Sequence, residues 1–262
     1  MSGNRLDRRG VLKALAAVAG LALSGCDRTA SAQRFRSVLD SANSLTYRVQ
    51  RLLIGAHRLA REYSEADISP AFRGNGSIDP QDEAYLSLVD HHFTDWRLKV
   101  HGLVEHELSF SLGELRALPA RTQITRHDCV EGWSCIGKWT GVPLAEILSR
   151  AGVRPEARFI VFHCADTLDD GGDSVDPETI RYYESIDLID AAHPQTILAY
   201  GMNGEPLSVR HGAPLRLRLE RQLGYKMAKY IMRLELVRSV ADLHGGRGGY
   251  WEDRGYEWYA GI

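Results

Sequence analysis

The sequence predicts an α+β protein, with short strands and short helices mixed along the chain and no internal repeat. Three observations carry that expectation. Leu98–Val104, Phe159–Phe162 and Leu215–Leu219 have the length and the alternating or β-branched pattern of strands. Between them lie short stretches with helix punctuation: Ser111 to Leu118 opens on a serine cap, and Pro143 to Ala151 starts with proline and is followed by Gly152. The chain has 262 residues, 44% hydrophobic and 25% charged, which is globular composition with enough length to bury a core without disulfide staples.

From the N-terminus, Asp7-Arg8-Arg9-Gly10-Val11-Leu12-Lys13 precedes an uncharged apolar run from Ala14 to Leu23. A charged segment followed by so short an apolar one reads as an export signal, since a membrane-spanning helix needs about 20 residues. The arginine pair resembles a twin-arginine signal, and Leu23-Ser24-Gly25-Cys26 resembles a lipobox, in which Cys26 is lipidated. An ordinary signal with an incidental cysteine is the alternative. Segment 1–25 carries four basic residues against one acidic, so the net charge of −2 becomes −5 for the rest of the chain. That balance gives no footprint for nucleic acid.

Residues 34–63 place Leu39, Ala42, Leu45, Val49, Leu52, Leu53, Ala56 and Leu59 at roughly helical spacing, so an amphipathic helix is expected there. A turn-rich loop runs from Ser69-Pro70 to Asp79-Pro80. The domain reading is a signal over 1–25, a helical lead over 26–68 and one mixed domain over 69–262.

Past Cys26 the cysteines are Cys129, Cys135 and Cys164. Cys129 stands in His127-Asp128-Cys129-Val130-Glu131-Gly132-Trp133-Ser134. A thiolate there can be a nucleophile, a redox centre or a ligand to a soft metal. The spacing makes neither paired zinc knuckles nor a haem attachment site, and a Cys129–Cys135 disulfide is a further alternative. His127, His163, His193 and the His91-His92 pair read as structural or exposed side chains, and Glu131 as a support of the cysteine loop.

The wider pattern adds to this. The Cys129-to-Ser134 run followed by Trp139-Thr-Gly-Val-Pro-Leu144 resembles the metal-binding segment of the sulfite oxidase family of molybdopterin enzymes. Met202-Asn-Gly-Glu-Pro-Leu207 with His211-Gly-Ala-Pro-Leu-Arg216 is similar to that family's next block. Gly224 to Ile231 is similar to its third, and Trp251-Glu-Asp-Arg-Gly-Tyr256 to its active-site tail. The blocks keep the family's order, and the resemblance extends from about Ser69 to the C-terminus.

The resemblance implies a sulfite-oxidase-type molybdopterin-binding fold without the C-terminal immunoglobulin-like dimerisation domain of sulfite oxidases, and so a monomer. In build it is nearer the periplasmic methionine-sulfoxide reductase subunits of that family. The implied cofactor is molybdenum-molybdopterin, with tungsten not excluded. By match of motif Cys129 is the metal ligand, and Arg216 and Lys229 hold the pterin phosphate. His211 and the Met227–Ala228 backbone are further cofactor contacts. Asn75, in Phe72-Arg73-Gly74-Asn75-Gly76, matches an Arg-Asn-His loop with the arginine displaced and Gly76 in place of histidine. Cys164 falls where the reductase branch has a cofactor-touching threonine; a buried spare thiol is the alternative. Tyr256 matches a tyrosine beside the metal.

The function implied is exported two-electron oxygen-atom transfer, with reduction of an S-oxide preferred over sulfite oxidation because the Arg73 loop departs from the family pattern. The chain has no haem or iron–sulfur motif of its own, so a membrane haem subunit, a quinone-linked partner or a soluble cytochrome is expected, with a heterodimer as one form. A cysteine hydrolase built on Cys129 and a non-catalytic envelope lipoprotein are the readings of other classes.

Overall fold

The computed structural model describes residues 45–52, 55, 57–168 and 181–262. The arginine pair, Cys26 and the first part of the lead lie outside the described residues. The chain divides into two compact units, Met1–Leu53 and Ile54–Ile262. In the first, residues 45–52 are helical, as their spacing predicts.

The larger unit holds two five-stranded sheets. The first has the order β2-β1-β10-β5-β6, made of Arg97–Gly102 (β1), Leu108–Ser111 (β2), Phe159–Thr167 (β5), Arg181–Asp187 (β6) and Ile231–Val237 (β10). Among the described residues only β1 and β10 pair in parallel, with Val100 opposite Leu234. The second sheet contains Arg121–Asp128 (β3), Ser134–Pro143 (β4), Ile197–Met202 (β7) and Glu205–Pro206 (β8) in that order, with Arg216–Arg218 (β9) paired to β7. Among the described residues, Glu83–Asp90 (α1) precedes β1, and three short helices lie between strands of the two sheets: Leu112–Ala117 (α2), Leu144–Ala151 (α3) and Leu188–Ala191 (α4). The α+β expectation holds.

Local signals account for several of these elements. At α2, Ser111 accepts from the Glu114 backbone N–H while the Glu114 carboxylate accepts from the Ser111 N–H, a reciprocal cap of two free donors. Helix α3 ends where Gly152 turns left-handed, while Pro143 proves to be its N-cap and the last residue of β4 rather than its first helical position. Strand β5 lies between β10 and β6 and buries six of its nine residues, with Ile160, Val161 and Phe162 fully enclosed in the main core.

One expectation changes. Residues 58–63 are extended, not helical: Glu62 bridges Thr125, the Tyr63 N–H donates to Ile124 O, and the Ala60 N–H donates to the buried Gln195 side chain at 2.7 Å. Pairing with the edge of β3 satisfies this backbone and overrides the leucine spacing. Among the described residues no helix is long and apolar enough to cross a membrane.

Candidate functional site

The β3–β4 hairpin turns at Cys129–Trp133, and this turn carries the thiol. The Cys129 N–H donates to Trp133 O at 2.9 Å and the Gly132 N–H returns to Cys129 O at 3.0 Å. Below the turn the Asp128 carboxylate accepts from both Arg126 and the Ser134 hydroxyl. Across it Trp133 Nε1 donates to Glu131 at 2.8 Å, the loop-supporting role expected of Glu131, and the Arg73 guanidinium lies 5.3 Å from the Trp133 ring centroid. The turn is held before anything binds.

Cys129, Cys135 and Cys164 are free thiols, so the Cys129–Cys135 disulfide does not form. Burial raises the Cys129 thiol above its ordinary value and Glu131 adds to this, against the Glu131 and Val130 backbone N–H groups and the Arg73 charge. An activated nucleophile needs the opposite shift and a base at hydrogen-bonding distance. A metal ligand needs neither, because the metal itself displaces the proton.

Cys129 opens into a cleft of about 130 Å³. Asn75, Met227, Lys229 and Tyr256 line it as well, so five of the nine predicted site residues share one cavity. Tyr256 stacks on Trp251 at 5.2 Å between centroids and meets Tyr225 edge-on, and with exposed Val130 these rings give the cleft an apolar rim. Lys229 Nζ donates to Asn75 O at 2.7 Å and to Ser77 O, pinning the 72–77 loop to the far wall.

Four predicted residues do not line this cleft. Ala228 is fully buried and accepts from the Leu217 N–H at 2.8 Å. His211 has both ring nitrogens engaged, with Ser208 Oγ at 2.9 Å and Phe72 O at 3.2 Å. Cys164 is buried beside Lys229 and lines a second cavity between β5, β6 and β10. Arg216 is fully buried, with one Nη1 bond to His211 O at 2.9 Å and its guanidinium 4.8 Å over the Trp139 ring.

Arg216 differs from its neighbours in a telling way. Arg218 is held by Glu220, and Arg221 by Asp190, each pair buried. The Arg216 Nε and Nη2 groups are buried with no partner at all. Burial, and then the Arg218 charge, bring its guanidinium down to about 9. A buried cation with open donors is costly unless an anion completes it. Asp166 on the cleft wall has an unpartnered buried Oδ1, and burial raises its carboxyl. A phosphate for Arg216 and Lys229, ring N–H groups for Asp166 and a soft metal for Cys129 would complete this donor set, so the residues present fit a metal-carrying pterin phosphate.

His127, two residues before the thiol, is fully buried as a structural side chain. Its Nδ1 takes the Arg218 Nη1 donor at 3.1 Å, which leaves the ring proton on Nε2. Burial, then Arg218, Arg216 and Lys229, hold the ring neutral. A Cβ at Gly224 would stand 2.3 Å from that Nε2, so only glycine lets the cleft-lining turn close on β3.

Residues 86–244, more than half of the chain, match the family described as oxidoreductase molybdopterin binding domain. The chain belongs to this family. That bears out the membership expected from the four ordered blocks, and it overturns both the cysteine-hydrolase and the non-catalytic readings: this is a molybdopterin-family oxidoreductase. It is 37% identical, over 97% of this chain and 87% of the relative, to an Azospira oryzae protein provisionally named protein-methionine-sulfoxide reductase subunit YedZ1. It is 30% identical, over 90% of this chain and 71% of the relative, to the protein-methionine-sulfoxide reductase catalytic subunit MsrP of Xanthomonas campestris pv. campestris. Among solved structures, the sulfane dehydrogenase SoxCD of Paracoccus pantotrophus is similar at 24% identity and a TM-score of 0.49, over 60% of this chain and 45% of that one.

Sequence reasoning missed Asp166 and Tyr182 in the cleft wall of this oxidoreductase, and named Trp251 only as part of the tail block. Asp166 had a usable signal: a carboxylate near the end of the apolar run that begins at Phe159.

Lys229 sets a pH dependence. Burial brings its ammonium down to about 7; Asp166 opposes this and Arg216 adds to it. An unfolded lysine keeps its proton to about 10. From about 7 to that value the folded chain therefore binds fewer protons than the unfolded one. The penalty to folding is full below about pH 7 and fades as pH rises above it. A phosphate held by Lys229 would require the ammonium, so its binding would take up a proton in that window. The expected result is that affinity of the metal-free protein for molybdopterin falls by up to about tenfold per pH unit above 7. Titrations at pH 7, 8 and 9 check this, with Lys229→Arg expected to remove the dependence.

Proposed function

We propose that this chain holds molybdenum-molybdopterin, with Cys129 as a metal ligand and Arg216 and Lys229 on the phosphate, and reduces an S-oxide. The observation that carries the reading is the fully buried Arg216 guanidinium, whose Nε and Nη2 have no hydrogen-bond partner, in the same unit as a cleft-lining free thiol. When bound, the cofactor supplies a metal that exchanges two electrons and an oxo group, which no side chain can do.

The chain's own residues do the rest. Cys129 presents its sulfur on a pre-held turn, so little ordering is left for binding. Asn75 lies against Lys229 and closes the wall opposite. The rim of Val130, Tyr225, Trp251 and Tyr256 excludes water and accepts a neutral, apolar sulfur compound, because sulfur packs favourably against aromatic rings. Sulfite, an anion, would need free cations at that rim; Arg73 instead lies on Trp133 and Glu131 stands beside it. The two relatives named for methionine-sulfoxide reduction support the same preference.

Reduction of R₂SO consumes two electrons and two protons and releases R₂S and water. Tyr256 carries a hydroxyl on the cleft wall that can hydrogen-bond the substrate oxygen or hand it a proton. Tyr256→Phe is expected to lower kcat by about 100-fold with little change in KM, because a proton donor acts only as the bond breaks. Steady-state kinetics on both proteins check it.

The electrons come from a separate carrier, either a membrane haem or quinone-linked subunit or a soluble cytochrome, with the chain acting as a monomer or as one half of a heterodimer. The twin-arginine-like segment supports export of the folded protein from the cytoplasm, with a lipid anchor at Cys26 as one form. The function is tested with peptidyl methionine sulfoxide and a reduced viologen dye, against sulfite and an electron acceptor. S-oxide turnover well above sulfite turnover supports the reading, and the reverse order overturns it.

A further inference from the structure

Behind the cleft lies a knot of buried charge that the proposed chemistry does not use. Lys226 Nζ donates to Glu184 Oε1 at 2.5 Å and to Glu252 Oε1 at 2.6 Å, and none of the three side chains is more than 1% exposed. Two carboxylates thus share one ammonium, and Oε2 of each is buried without a partner. Burial, and then the Glu252 charge, push the Glu184 carboxyl far above its usual range, with Lys226 opposing. Such an arrangement is weak as a source of stability but strict about geometry, since a buried charge pair tolerates few alternatives.

Each member stands next to residues of the cleft. Lys226 sits between Tyr225 and Met227, Glu184 is two residues past Tyr182, and Glu252 follows Trp251 and precedes Tyr256 by four. All five of those neighbours line the cleft. The knot therefore joins three separate stretches of chain just behind the walls they form.

The C-terminal tail is also stitched to β6 around this point. The Tyr250 N–H donates to Tyr183 O at 3.0 Å, the Ser185 hydroxyl donates to Gly248 O, and Trp258 Nε1 donates to Ser185 Oγ at 2.9 Å. Gly249 bridges Glu184, and a Cβ there would lie 2.0 Å from Glu252 Oε2 and 2.9 Å from Glu184 Oε1. A glycine at 249 is what lets the tail carboxylate reach the ammonium.

We propose that Lys226 is a positioning residue: by binding Glu184 and Glu252 together it holds tail residues 250–256 in one register and sets Trp251 and Tyr256 against the substrate. The part concerning substrate rests on the reading of the cleft given above; the part concerning the tail does not.

The test uses the full-length, cofactor-loaded protein with Glu252→Leu and Glu252→Gln. Glutamine still offers an oxygen to the ammonium and leaves one carboxylate to balance it. Glu252→Leu is expected to speed amide exchange at 250–256 by about tenfold or more, with exchange in β5 and β10 unchanged. It is expected to lower kcat/KM for the S-oxide by about tenfold at unchanged metal and pterin content. Glu252→Gln is expected to restore both to within about twofold. Added to Tyr256→Phe, Glu252→Leu should cost no more than about twofold further, because the group it positions is already gone.

Unchanged tail exchange in Glu252→Leu, or losses that multiply in full in the double variant, would overturn the proposal. Should Glu252→Leu lose the fold, Glu252→Asp is read in the same way: it keeps the charge and withdraws it by one methylene, so faster exchange confined to 250–256 supports the proposal and unchanged exchange overturns it. If no metal is found in any variant the oxidoreductase reading fails, and the exchange result still decides whether Lys226 holds the tail.

Discussion

Cys129→Ser is expected to abolish turnover, by at least about 1,000-fold, or ~4 kcal/mol of barrier. The thiol lines the cleft on a turn fixed by its own backbone hydrogen bonds, so the substitution changes one atom and leaves the scaffold alone. Serine keeps the size but offers a hard oxygen where a soft sulfur donor is called for. The pterin should stay bound, because in the proposed reading Arg216 and Lys229 hold its other end. Thermal midpoint, metal content, pterin content and turnover on one preparation check this. A serine variant with ordinary turnover would remove Cys129 from the chemistry.

Arg216→Met is expected to separate cofactor binding from folding. In the protein without ligand, Arg216 is a fully buried cation with two unpartnered donor groups and no carboxylate of its own. Replacing such a charge with an apolar side chain of similar volume is often neutral or stabilising by roughly 1–4 kcal/mol. The metal-free variant should therefore melt no lower than the metal-free parent. The loaded variant should behave oppositely, because two charge-assisted hydrogen bonds to a phosphate are worth about 1.5–3 kcal/mol each. Cofactor affinity should fall by at least about 100-fold. Differential scanning calorimetry with and without cofactor reads both arms. A metal-free variant that is several degrees less stable, with cofactor retained, would mean that Arg216 is a structural residue.

The fold was legible where local chemistry decides it. Ser111 caps α2 and Gly152 ends α3 through interactions within a few residues, and β5 announces itself as an apolar run too short for a buried helix. Residues 58–63 were misread because leucine spacing carries no information about the exposed edge of β3 that this backbone pairs with. The site divides along the same line. Cys129, Arg216 and Lys229 could be proposed from ordered motifs; Glu220 stands two residues past Arg218, but nothing in Leu215–Arg221 shows that Arg221 finds the distant Asp190 and that Arg216 finds no carboxylate. That distinction depends on Glu220 and Asp190, and on burial. The Lys226 knot was out of reach altogether: its carboxylates come from β6 and from the tail, 68 residues apart in sequence, and no periodicity links them.

The most direct test of the account is the metal and pterin content of the folded protein. The chain is produced in a host able to make the cofactor and passed over a gel-filtration column. Molybdenum by elemental analysis and pterin by fluorescence after oxidation are then measured across the protein peak. About one molybdenum and one pterin per chain, lost together in Arg216→Met and reduced to pterin alone in Cys129→Ser, is the predicted result. Protein that elutes folded with neither metal nor pterin would contradict the account.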